Sequence, residues 1–240
     1  MNILIPMAGA GSRFAKVGYK EPKPFIDVAG TPMIKRVVDN INLKGKYIFI
    51  VQEAHLEQFP YMKQKLQELH DDVEIVTIDQ LTEGAACTAL LARDLINNQE
   101  PLLICNSDQC VDWDSGHFIK YITKNNFDGA IPYFLSDSPK HSYSQINYTT
   151  KLITQVAEKQ VISNLATVGI YYWRQGNMFV ECAEQMIADN IRFNNEFYIC
   201  PVYNTLIHRH NGRVCPYPVF EMNGMGTPEE LEIFLSKMEQ

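Results

Sequence analysis

The sequence predicts an α/β fold, a three-layer arrangement with helices on both faces of a mostly parallel, mixed sheet. Three observations carry this expectation. Short, continuously apolar runs recur at 2–5, 47–51, 73–78 and 102–105, the pattern of strands buried on both faces. Stretches with helical apolar spacing separate them, so strand and helix alternate as in right-handed parallel crossovers. Small or polar residues gather where the runs end, at 9–13, 52–53, 79–80 and 106–108, the edge on which such sheets bind ligands.

Taken in order, the 2–5 run stops at Pro6, which has no N–H to extend a ladder. Residues 8–13, Ala-Gly-Ala-Gly-Ser-Arg, form a loop whose glycines let main-chain amides approach an anion. Arg13 adds a forked donor suited to phosphate oxygens, and Lys23 follows between Pro22 and Pro24, which stiffen its backbone. Gly30 turns the chain; Thr31 is expected to cap a helix that starts at Pro32 and packs on Met33, Ile34, Val37, Val38 and Ile41. The spacing predicts a helix over 55–69, irregular near Pro60, and a small-residue helix over 85–95 after Glu83-Gly84. Ser115 is expected to cap a helix to about 124, with a strand at 129–134 and a polar loop at 136–144. From Tyr148 the pattern changes. Residues 152–157 and 166–173 predict antiparallel strands about a turn at Ser163-Asn164, then helices at 178–187 and 201–210, an extended run at 214–220, and a last helix opened by Thr227-Pro228.

Composition excludes several classes. With 240 residues, 46% of them hydrophobic and 20% charged, the chain has the make-up of one globular core. No apolar run is long enough to span a bilayer and no secretory leader is evident, so neither membrane insertion nor export is expected. The six cysteines form no C-x-x-C pair and sit mostly in apolar runs, as reduced thiols of a cytoplasmic protein do. A net charge of −7 argues against a nucleic-acid surface, while a few local cations and a metal can still set the potential of one cleft. His208 and His210 share no helical face, no Cys/His cluster has zinc spacing, and no nucleophile elbow is present.

The glycine loop is not a Walker loop, which needs Gly-Lys-Ser/Thr, nor a dinucleotide fingerprint, since Phe14 stands where a third small residue belongs. Together with Ser12-Arg13, Pro22-Lys23-Pro24-Phe25 and Gly30-Thr31-Pro32-Met33-Ile34, however, Gly9-x-Gly11 resembles the opening motif of the nucleotidylyltransferases. These are the sugar-1-phosphate pyrophosphorylases and the related CTP-dependent cytidylyltransferases. Residues 81–89 resemble the family's base-recognition loop; Val156-Ala157-Glu158-Lys159, Ser163-Asn164 and 168–171 resemble its acceptor segment. The likeness is densest in 1–34, 80–108 and 156–173. Each stretch also has a plainer reading: a tight turn for the glycines, close helix–sheet packing for 84–89, a solvated pair for Glu158-Lys159.

The resemblance implies a Rossmann-like (GT-A-like) core with a small antiparallel acceptor-binding lobe in a single domain: 1–135 mainly for the NTP, 136–226 mainly for the acceptor, 227–240 a C-terminal helix. It implies nucleotide contacts from Met7, Ala8, Gly9, Ala10, Gly11, Ser12, Arg13 and Ser107, with the base beside Gln80, Glu83, Gly84 and Ala85. Acceptor contacts fall to Glu158, Lys159, Asn164, Gly169, Glu196 and Tyr198, and catalysis to Arg13, Lys23, Asp108 and Lys159. Asp108 follows a buried strand and emerges at the ligand edge, where a carboxylate can hold Mg²⁺ against phosphate oxygens; the alternative is an Asp capping the next turn. Asp112 and Asp114 are expected to be solvated or capping. Many family members carry a second metal-binding Asp where this chain has Gly224, leaving Asn223, or Glu221, as the expected substitute. The implied reaction moves a nucleoside monophosphate, CMP first, from an NTP to a phosphorylated small-molecule acceptor (a sugar phosphate, a phospho-alcohol or a phosphorylated amide), as in capsule or lipopolysaccharide biosynthesis, and a homo-oligomer is compatible with it. A nucleotide-sugar-dependent glycosyltransferase and a catalytically silent nucleotide-binding module are the alternatives.

Overall fold

The computed structural model describes residues 1–238. The first half runs β1 (Asn2–Pro6), α1 (Ser12–Lys16), β2 (Asp27–Val28), β3 (Thr31–Pro32), α2 (Met33–Ile41), β4 (Lys46–Gln52), α3 (Glu53–Gln58), α4 (Tyr61–Gln67), β5 (Val73–Ile78), α5 (Ala85–Leu90), α6 (Arg93–Ile96) and β6 (Leu102–Cys105). The second half adds β7 (Gln109–Asp112), α7 (Ser115–Lys124), β8 (Gly129–Leu135), β9 (Tyr143–Ile146), β10 (Ile153–Ala157), β11 (Leu165–Thr167), β12 (Ile170–Trp173), α8 (Gly176–Ala188), α9 (Val202–His210), β13 (Val214–Pro218), β14 (Glu221–Gly224) and α10 (Pro228–Met238).

The main sheet is ordered β10-β9-β11-β8-β12-β6-β1-β4-β5, with β13 beside β8. β5, β4, β1 and β6 are parallel, whereas β12 lies antiparallel between β6 and β8, and β11, β9 and β10 extend the sheet in antiparallel fashion. This is the expected α/β core. Strand alternation sorts its apolar side chains into two layers. Ile3, Ile5, Tyr47, Phe49, Val51, Leu103 and Cys105 face one side with Val37 of α2, Leu66 of α4, Phe118 of α7 and Leu231 of α10. Leu4, Ile48, Ile50, Leu102 and Ile104 face the other, with Ala86 of α5, Phe179 of α8 and Leu206 of α9. Each fully buried Ile, Leu or Phe contributes about 1.5–3 kcal/mol, so both faces of every central strand are committed to packing and chemistry is left to the strand ends.

Several local expectations are corrected. Thr31-Pro32 does not open the helix: it pairs with Asp27–Val28 as a small hairpin, and Pro32, extended at ψ 140°, precedes Met33 without a side-chain cap. Asp114, not Ser115, caps α7, its carboxylate accepting from the His117 amide at 2.7 Å. The irregularity expected near Pro60 is a full break between α3 and α4, while 85–95 divides into α5 and α6. The 166–173 run is interrupted at 168–169, and the end of the 136–144 loop is already strand. Thr227 does cap α10, its hydroxyl accepting from the Glu230 amide at 3.2 Å; residues 239–240 of the expected final helix lie outside the described residues. No helix among the described residues is long and apolar enough to cross a membrane.

The topology brings the ends of β1, β4, β5, β6 and β8 to one edge. β14 pairs antiparallel with β7, Gly224 opposite Gln109, which draws 224–226 against Asp108 from more than a hundred residues away. Met225 N–H then donates to the Asp108 carbonyl at 2.7 Å.

Candidate active site

The loop after β1 is shaped by its backbone. Gly11 adopts a left-handed conformation (φ 61°) and turns the chain into α1, whose first amides have no carbonyl one turn earlier to bond. The Gln52 amide at the end of β4 donates to the Ala8 carbonyl at 2.8 Å, pinning the loop to the neighbouring strand. Buried Phe14 anchors α1 from below. A cavity of about 360 Å³ opens over this loop, lined by Met7, Gly9, Gly11, Ser12, Arg13, Lys23, Asn106, Ser107, Asp108 and Gly226 among others. Lys23 forms an ion pair with Asp108 there, and both side chains are about four-fifths buried. The short turn that carries Lys23 is held by buried Pro22 and Pro24.

Two further cavities adjoin it. One, of about 420 Å³, is lined by Ala8, Gly9, Ala10, Thr82, Gly84, Ala85, Thr88 and Glu196. Its floor requires glycine at 84: φ is +131°, and a Cβ would stand 2.5 Å from the backbone nitrogen and oxygen of Phe197. The contact is that close because Phe197 N–H donates to the Glu83 carbonyl (2.8 Å) and its carbonyl accepts from Ala86 N–H (2.9 Å). The other cavity, of about 630 Å³, shares Arg13, Lys23, Asn106, Asp108 and Gly226 with the first and adds Gln109, Lys140, His141, Lys159, Thr227 and Glu230. The Gln109 side-chain nitrogen is buried without a protein partner among the described residues, a spare donor on that wall.

Lys159 follows β10 with a positive φ of 50°, an uncommon conformation for a residue with a side chain. Its ammonium donates to the Tyr198 hydroxyl at 2.9 Å and lies 4.7 Å over that ring. Its neighbour Glu158 is buried and accepts from the Ser142 hydroxyl. Burial raises the Glu158 pKa; the Ser142 hydrogen bond and the Lys159 charge pull it back in part, and Glu196 pushes it up. His141, in T-shaped contact with Phe134, has its pKa lowered by burial, with Glu230 opposing and Lys140 reinforcing that shift.

The structure therefore gathers Met7, Ala8, Gly9, Ala10, Gly11, Ser12, Arg13, Lys23, Gly84, Ala85, Ser107, Asp108, Lys159 and Glu196 around one connected cleft. Others stand apart. Gln80 is exposed, and Glu83 is exposed in an ion pair with Arg192; neither lines these cavities. Glu196 borders the Gly84 cavity rather than the one holding Lys159. Asn164 is exposed and gives its carbonyl to Ser136, while buried Gly169 packs against the Asn106 and Gln109 amides. Glu158 and Tyr198 line none of the three cavities; Tyr198 bonds cleft-lining Lys159, and Glu158 accepts from Ser142.

Asn223 and Glu221, expected to supply the second metal ligand, line none of the three cavities. Asn223 and Glu221 share the face of β14 turned to Lys237, which bonds Asn223 Oδ1 at 2.8 Å and pairs with Glu221. Strand alternation points both away from Asp108. In their stead, Glu230 of α10 enters the cleft. A divalent cation fits these residues: a Cβ at Gly226 would lie 3.1 Å from Asp108 Oδ2 and 3.2 Å from Glu230 Oε2, so two hard oxygen donors flank one side-chain-free position. Sequence reasoning also passed over Lys140, His141 and Gln109. The one local signal at Glu230 is a Thr-x-x-Glu spacing, and that speaks of a helix start rather than a ligand.

A family model described as Nucleotidyl transferase matches residues 3–207. The chain is 24% identical over 177 residues to the mannose-1-phosphate guanylyltransferase catalytic subunit beta of Danio rerio, covering 71% of this chain and 49% of that protein. It is 23% identical over 178 residues to the bifunctional protein GlmU of Methanococcus maripaludis, covering 71% and 39%. The chain thus spans about half or less of the length of these curated relatives. Among solved structures, the nucleoside-diphosphate-sugar pyrophosphorylase of Vibrio cholerae superposes with a TM-score of 0.83 over 98% of this chain and 99% of its own, at 23% identity, a likeness of fold.

Proposed function

The chain belongs to the nucleotidyl transferase family, and from that premise we propose that it transfers a nucleoside monophosphate from an NTP to a phosphorylated small-molecule acceptor, releasing pyrophosphate. The observation that carries this reading is the sharing of Arg13, Lys23 and Asp108 between two cavities, one over the glycine loop and one bounded by Lys159. A triphosphate on the loop and a phosphate at Lys159 would meet at those three residues. On this reading 1–135 mainly holds the nucleotide, 136–226 mainly the acceptor, and the base lies against Gly84 and Ala85.

The acceptor's phosphate oxygen attacks the α-phosphorus in line; a new O–P bond forms as the bond to the β-phosphate bridging oxygen breaks, and pyrophosphate departs. No protein nucleophile is needed, because a phosphate monoester is anionic near neutral pH. Lys159 orients the acceptor phosphate, while Arg13, Lys23 and the loop amides hold the triphosphate and the charge that grows on the leaving group. Mg²⁺ on Asp108, when bound, supplies further neutralisation of phosphate oxygens. The Lys23–Asp108 ion pair holds both side chains in place before substrates arrive.

Cytosine is the base we favour, because this form resembles the cytidylyltransferases of capsule and lipopolysaccharide synthesis, although six of the matched relatives are named for guanylyl transfer and none of those described above is named for cytidylyl transfer. The glycosyltransferase alternative would need a D-x-D metal motif, and the acidic pair nearest that spacing, Asp112 and Asp114, lines none of the cleft cavities, Asp114 capping α7 instead. The deciding experiment is a pyrophosphate-release screen of the four NTPs and dTTP against sugar phosphates, phospho-alcohols and phosphorylated amides. Pyrophosphate formed only with a phosphorylated acceptor is the expected result. Free nucleoside diphosphate from a nucleotide sugar, or tight NTP binding with no product from any acceptor, would sink the proposal.

A further inference from the structure

Gly224 has no side chain, and the Glu230 carboxylate stands close against the space one would occupy. A Cβ there would lie 3.3 Å from Glu230 Oε2 and 3.4 Å from its Cδ. At Gly226 a Cβ would fall between Glu230 Oε2 and Asp108 Oδ2. The two carboxylates converge on one glycine-lined space, although 122 residues separate them in the chain. Both line the cavity that also holds Arg13, Lys23 and Lys159.

We propose that Glu230 is the second protein ligand of the divalent cation on Asp108, its carboxylate reaching back from the first turn of α10 to the edge of the space a side chain at 224 would fill. The inference rests on the nucleotidyl-transfer reading and gives it a metal ligand that the sequence pattern did not mark. Glu230 is held in position from two sides: its amide donates to Thr227 Oγ1 at 3.2 Å, and its Oε2 accepts from Gly226 N–H at 3.1 Å. These bonds aim the carboxylate and leave Oε1 and further lone pairs for a cation. Two carboxylates completed by phosphate oxygens and water form the hard oxygen set that Mg²⁺ takes.

A helix cap needs only a hydrogen-bond acceptor, which glutamine also provides, whereas a cation needs the charge. The test therefore compares Glu230→Gln with wild type, using Mn²⁺ alone as the probe and the free-ion EPR signal as the readout. Glu230→Gln is expected to bind Mn²⁺ about 10-fold or more weakly, in line with the loss of a ligating group, with an unchanged Tm. The double variant Glu230→Ala/Gly224→Asp is expected to regain most of the affinity, because the new carboxylate enters the vacated volume. Equal Mn²⁺ binding by Glu230→Gln and wild type, or no Mn²⁺ uptake by wild type, overturns the proposal. Asp108→Asn keeps the two readings separable. If it abolishes uptake while Glu230→Gln does not, only the role of Glu230 fails. If it binds Mn²⁺ as wild type does, the metal assignment of the proposed function fails with it.

Discussion

The two sides of the cleft are built differently. On the side of β1 and β6 the geometry comes from backbone: the loop at 7–13 is turned by Gly11 and pinned by Gln52, and it borders an open cavity. On the side of β9, β10 and β11 it comes from side chains holding one another, Lys159 on Tyr198 and Glu158 on Ser142, with a positive φ at Lys159. A backbone cradle tolerates few substitutions because it has no rotamers to adjust. A side-chain array can be retuned residue by residue. On the proposed reading, the first would hold the triphosphate and the second the acceptor.

Substitutions can break or sharpen that contrast. Lys23→Ala should have the largest effect, lowering turnover about 100- to 1,000-fold in a pyrophosphate-release assay while the circular dichroism spectrum stays native; near-normal turnover would remove Lys23 from the mechanism. Gly84→Ala comes next. It sets a methyl group against the Phe197 backbone at a φ of +131°, and should cost about 1–3 kcal/mol in urea unfolding together with weaker NTP binding by calorimetry. An unchanged unfolding midpoint would mean that the 83–86 loop yields easily, and the idea of a stiff nucleotide side would fall.

On the acceptor side the expected effects are smaller and selective. Tyr198→Phe removes the hydroxyl that Lys159 bonds and should raise the acceptor KM about 3- to 10-fold with the NTP KM unchanged; equal rises in both would show that the two sides are not separable. The last concerns pH. Burial, the dominant cause, raises the Glu158 pKa above its unfolded value. The folded state therefore binds the proton more tightly, and stability present below the unfolded pKa is lost as pH rises through the folded one. Glu158→Gln should raise Tm by a few degrees at about pH 8 and have little effect at about pH 4. The same gain at both values would mean that the carboxylate carries no ionisation cost.

Part of this was legible in the residues. The β1, β4, β5 and β6 runs, and the small-residue loop after the first of them, follow from apolar continuity and from glycine, which are local properties. Where prolines or capping side chains offered competing local solutions the reading failed: Pro32 stayed extended within a hairpin, and Asp114 displaced Ser115 as cap. Gln80 and Glu83, expected beside the base, are exposed and line none of the cleft cavities, because a motif marks a loop without saying which of its side chains faces inward.

By itself the chain determined its alternation of strands and helices, its two-faced core, and the cluster of Gly9, Gly11, Arg13 and Lys23, since each depends on neighbours within a few residues. Only the tertiary structure decided that Asn223 turns to Lys237, that Glu230 stands against the space left by Gly224, and that Lys140 and His141 share a wall with Lys159. Those facts depend on the pairing of β14 with β7 and on β8 running parallel to β6, contacts between segments tens to more than a hundred residues apart. Local sequence constrains the backbone angles of a segment; which distant carboxylates and ammonium groups meet is set by the packing of whole elements, and no short pattern encodes it.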